Sequence, residues 1–99
     1  MHTVIRRYEG AGDSAEVARR ATEEFGPMLS GEPGFQGYWV VDAGDGVLAT
    51  ITVFDTEEAA VATTSAAAAW VGENLPELAA SPPQVTAGST TGVTAEAPA

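Results

Sequence analysis

The sequence predicts a small α+β domain in which the chain runs β-α-β-β-α-β, giving a four-stranded antiparallel sheet with two helices on one face. Three observations predict it. Pro33 to Asp55 holds two runs of β-branched and aromatic residues on either side of Ala43-Gly44-Asp45-Gly46, a loop whose glycines allow the positive φ a hairpin needs. A helical period precedes that hairpin and a second follows it, each bounded on its outer side by a short strand-like run. With 99 residues, the chain encloses one core and no second one.

In order, Thr3 to Tyr8 is the first strand, with Val4, Ile5 and Tyr8 supplying β-propensity and Glu9-Gly10-Ala11-Gly12 ending it in a turn. Arg6 and Arg7 point to opposite faces, and each reads as a solvated or ion-paired strand residue. Asp13 or Ser14 caps a helix with Glu16 in its first turn, and Val17, Ala18, Ala21, Phe25 and Met28 recur on one side. Pro27 is expected to kink or end that helix. The hairpin strands are Gln36 to Asp42 and Val47 to Phe54.

Thr56 caps the second helix, with Glu57 and Glu58 at the positive end of its dipole. Ala60, Thr64, Ala67, Val71, Leu75 and Leu78 form its apolar stripe, and Pro76 bends or separates the last turn. Gln84 to Gly88 is the final strand. Residues 1–88 therefore make a single ferredoxin-like domain. Residues 89–99, without period or bulky apolar side chains, are expected to be a disordered tail.

Charge limits the partners. Fourteen carboxylates against four arginines and no lysine give a net charge of −10, so nucleic acid and anionic membrane surfaces are not expected partners. That composition fits a GC-rich coding bias or a salt-adapted proteome equally well. The absence of cysteine removes disulfides and thiolate chemistry. No signal peptide or membrane span is visible, and a cytoplasmic location is expected. Glu57-Glu58, Glu23-Glu24 and Asp42 with Asp45 are the paired carboxylates. They read as helix-dipole partners, a solvated helix face and turn formers, with no histidine near enough to complete a metal site.

Val47 to Phe54 is apolar on both faces: one carries Val47, Ala49, Ile51 and Val53, while the other has Leu48 and Phe54 beside Thr50 and Thr52. Sheets with one wet face are more polar there, so helices are expected over one face and a second copy of the chain over the other. As a set, Glu32-Pro33-Gly34-Phe35-x-Gly37-Tyr38, the hairpin end Val53-Phe54-Asp55 and the helix start Thr56-Glu57-Glu58-Ala59 resemble the antibiotic biosynthesis monooxygenase-like family of dimeric α+β barrels. The resemblance spans residues 3 to 88. It implies a homodimer joined through the sheets, a pocket between sheet and helices, and cofactor-independent oxygenation of polyketide- or quinol-like aromatics.

Residue by residue, Trp70 matches the pocket aromatic of active members. The helix histidine of haem-degrading members is absent, since the one histidine is His2, and so is the early-strand asparagine of the active members. Trp70 and Asn74, one helical turn apart at the edge of the stripe, have two readings: a tryptophan filling the helix-sheet boundary with the asparagine exposed, which is the simpler, or a pair lining any cavity, in which case Trp70→Phe and Asn74→Ala would alter ligand binding more than folding. Tyr38 and Trp39 face opposite ways, so one shares that pocket and the other meets the dimer partner. Two function classes follow: an oxygenase, or a non-catalytic homodimeric module that binds a small ligand. The size of the pocket separates them.

Overall fold

The computed structural model describes residues 1–79 and 81–93. The element order is β1 (His2–Tyr8), α1 (Ser14–Arg20), a π-helical turn (Ala21–Phe25), α2 (Gly26–Ser30), β2 (Phe35–Gly44), β3 (Val47–Phe54), α3 (Glu57–Asn74), α4 (Pro76–Ala79) and β4 (Gln84–Ser89). The strands form one antiparallel sheet in the order β2-β3-β1-β4, as a ferredoxin-like arrangement requires. β4 runs through Ser89, and the Thr90 amide donates to the Met1 carbonyl at 2.9 Å, so sheet pairing passes the expected boundary at residue 88. Residues 94–99 of the expected tail lie outside the described residues.

Local chemistry sets these elements. Gly44 opposes Val47, leaving Asp45 and Gly46 to reverse the chain with φ of 53° and 75°, the signs of a type I′ turn. The Asp13 carboxylate accepts the Glu16 amide and the Thr56 hydroxyl accepts the Ala59 amide, each at 3.2 Å, so both expected caps form. Leu75, the residue before Pro76, leaves the helical conformation with φ of −135° and ψ of 64° and separates α3 from α4. No helix among the described residues is long and apolar enough to cross a membrane.

The expected facing of both helices needs correction. At Pro27 the first helix is interrupted without ending: the Gly26 amide bonds back to the Ala21 carbonyl in a π turn, and the helix resumes as α2. Beyond the π turn Leu29 is buried and Met28 is exposed. On α3 the buried residues are Ala60, Thr63, Ala67 and Trp70, one position round from the stripe expected through Thr64 and Val71. The indole is the largest apolar surface on that helix, and its burial turns the face toward Thr63 and Trp70.

The pleat sorts the sheet into two faces. Val4, Arg6 and Tyr8 of β1 and Leu48, Thr50, Thr52 and Phe54 of β3 lie beneath the helices and are all buried. On the opposite face Trp39, Ile51, Ile5 and Thr86 stand in register across the four strands. The Trp39 ring lies across Gly37, where a Cβ would fall 2.3 Å from it, and the indole remains 56% exposed. The helices leave β4 uncovered, with its residues exposed along nearly their whole length.

Candidate functional site

Between sheet and α3 lies an aromatic cluster. Phe25, held inward by the π turn, meets Tyr38 of β2 edge-on at a centroid separation of 5.8 Å and Trp70 of α3 at 5.6 Å. Trp70 is 8% exposed, and the small cavity it borders, with Arg6, Tyr8 and Thr50 on the sheet side, is about 20 Å³. That is room for a single water. The same wall of Arg6, Tyr8, Ala67, Val71 and Leu78 also bounds an open groove of about 380 Å³ running from α3 and α4 to Pro82, Pro83 and Val85. The groove exists because no helix covers β4, and its volume lies within the roughly 300–1,000 Å³ typical of small-molecule sites.

Arg6 is the unexpected member. Its side chain is 2% exposed, and its Nη2 donates to Thr63 Oγ1 at 3.1 Å and Thr64 Oγ1 at 2.9 Å, two neutral acceptors. Arg7, Arg19 and Arg20 instead pair with Glu9, Glu16, Glu23 and Glu24. Taking a cation out of water costs of order several kcal/mol unless a countercharge meets it, and here none does among the described residues. Burial accordingly pulls the guanidinium below the usual arginine range, against the opposing influence of Tyr8 and Tyr38. Burial also pushes both tyrosine hydroxyls above their usual range, so they stay protonated and able to donate. Thr52, paired in register with Tyr38, holds a buried hydroxyl that has no hydrogen-bond partner among the described residues.

The four residues singled out in the sequence separate. Tyr38 and Trp70 come together around Phe25. Trp39 lies on the far side of the sheet, which resolves the alternative between it and Tyr38 as to which faces the helices. Asn74 does not line the cleft. Its side-chain amide donates to the Trp70 carbonyl at 3.0 Å, and Arg20 grips its carbonyl oxygens at 3.0 and 3.4 Å, so the residue closes the C-terminus of α3. Arg6 was misread as a solvated or ion-paired residue, although the two-residue period already places it on one face with Val4 and Tyr8. Among the described residues no three metal-ligating side chains cluster.

Sheet, helices and groove define a ferredoxin-like α+β protein with a ligand-sized space between its layers. No family model and no curated protein matches the sequence. Solved structures do match. The monooxygenase of the ActVA-Orf6 gene of Streptomyces coelicolor, in complex with nanaomycin D, is 17% identical with a TM-score of 0.68, covering 97% of this chain and 92% of that one. A candidate antibiotic biosynthesis monooxygenase from Deinococcus radiodurans is 16% identical with a TM-score of 0.69 over 99% and 100% of the two chains. A variant of MhuD with two manganese protoporphyrin IX molecules per active site is 16% identical with a TM-score of 0.70 over 97% and 100%. The chain therefore has the antibiotic biosynthesis monooxygenase-like fold.

Proposed function

We propose that this is a cytoplasmic homodimer of the antibiotic biosynthesis monooxygenase kind that takes a small, electron-rich aromatic molecule, polyketide- or quinol-like, between its sheet and α3 and oxygenates it without a cofactor. The observation that carries the reading is a groove of about 380 Å³ whose wall of Arg6, Tyr8, Ala67, Val71 and Leu78 is shared with the small cavity lined by Phe25, Tyr38 and Trp70. The complexes of structural neighbours with nanaomycin D and with manganese protoporphyrin IX support ligand binding on this fold. Oxidising a ring CH₂ to C=O with O₂ places one oxygen atom in the product and the other in water, so all four electrons come from the substrate. The protein's part is to desolvate and orient the ring.

The test is oxygen uptake with hydroxylated anthrone and naphthol substrates, with a chelator present and no added cofactor. The expected result is uptake above the buffer rate, one O₂ per substrate. A ligand that binds without any uptake would establish the second reading, a non-catalytic binding dimer, which the small volume of the cavity beside Trp70, about 20 Å³, favours.

Dimerisation is expected through the row of Trp39, Ile51 and Ile5, because a large apolar row left in water marks an interaction surface. Ile51→Lys places a charge at the centre of that row. Sedimentation should show the wild type at twice the 10.1 kDa chain mass and the variant at the chain mass. A monomeric wild type at micromolar concentration would contradict the dimer.

A further inference from the structure

We propose that the groove between α3, α4 and β4 selects a planar apolar molecule carrying one oxyanion, a carboxylate or an ionised phenol, which meets the guanidinium of Arg6. The proposal rests on the reading of this space as the ligand site and adds the charge of what enters it.

Its basis is an imbalance. The chain has fourteen carboxylates and four arginines, yet the one deeply buried arginine is the one that pairs with no carboxylate among the described residues. Arg6 spends Nη2 on Thr63 and Thr64, and Nε and Nη1 make no hydrogen bond to the described residues. Those two groups lie on different edges of the guanidinium, and each keeps an N–H able to give a single charge-assisted hydrogen bond to an oxyanion. Arg6 lines both the central cavity and the groove, and among the described residues none that lines either space is acidic. The remaining groove wall, chiefly Ala67, Ala68, Val71, Leu78 and Pro82, is apolar and suits a ring. The Tyr8 hydroxyl, protonated at neutral pH, stands on the same wall as a second donor. A net charge of −10 repels anions from the surface at large, so selection for one has to arise locally, and this buried cation is placed to provide it.

The experiment is calorimetric titration of the full chain with 2-naphthoate and with 2-naphthamide, a neutral molecule of the same shape. In the wild type, naphthoate should bind about tenfold or more tightly than naphthamide, the scale of a charge-assisted bond in a dry site. Arg6→Met should bring the two within about threefold of each other, whereas Arg6→Lys should keep the preference for the acid. Equal binding of both probes by the wild type would overturn the anion inference and leave the ligand site standing. A preference that survives in Arg6→Met would overturn the role of Arg6. If neither probe binds the wild type, the site and its charge selectivity both fall. The wild-type comparison decides the matter without relying on any variant.

Discussion

Trp70→Ala should cost about 3–5 kcal/mol of stability, the range for truncating a buried large aromatic. The indole is 8% exposed, is the last and bulkiest of the four buried residues of α3 and contacts Phe25 at a centroid separation of 5.6 Å. Removing it would open a void against Tyr8, Leu48 and Leu75, which belong to the same apolar cluster. Nearby residues cannot collapse into that void, since alanine already lines α3 at position 67 and Phe25 is fixed by the π turn. Urea denaturation of the two proteins measures the difference. A loss below about 1.5 kcal/mol would show that Trp70 is a cleft wall whose packing the fold does not need, as its place at the edge of the predicted stripe suggested.

Arg6→Met should behave in the opposite way, leaving stability unchanged or raising it by up to about 4 kcal/mol. The methionine keeps an unbranched stem among the apolar neighbours and removes the uncompensated charge. Little is lost in exchange. Thr63 keeps its hydrogen bond to the Ala60 carbonyl at 2.6 Å, and Thr64 is exposed and free to take water. Replacement of a buried charge by an apolar residue is neutral or favourable when no countercharge meets it, and a stabilising loss of a residue points to a role other than folding. Thermal melts would show it. A fall in stability of more than about 1 kcal/mol would mean that the bonds to the two threonines outweigh the desolvation, and Arg6 would then be a structural residue.

The fold was legible because its signals are local. The Gly44-Asp45-Gly46 turn, the Asp13 and Thr56 caps and the break before Pro76 are each decided by the φ preference or hydrogen-bonding chemistry of a few adjacent residues. The facing of the helices was less legible because it is decided by tertiary packing. A single π turn set which of Met28 and Leu29 points inward, and the bulk of one indole set the rotation of α3. The site was the least legible part. Asn74 looked like a free amide one turn after Trp70, but nothing in the sequence shows that Arg20, 54 residues earlier, would reach its carbonyl oxygens. Arg6 shares the inward parity of Val4 and Tyr8, and yet charged strand residues are so commonly solvated that parity alone did not single it out. The groove itself follows from the absence of a helix over β4, a property of the layer arrangement and not of any one residue.

Intermolecular nuclear Overhauser effects between bound 2-naphthoate and the protein measure directly where an aromatic molecule binds. Effects are expected from the naphthalene protons to the side chains of Tyr8, Ala67 and Val71 and none to Trp39 or Ile5 on the opposite sheet face. Effects confined to Trp39, Ile5 and Ile51 would contradict the proposed site, because they would place the ligand on the face assigned to the second copy of the chain.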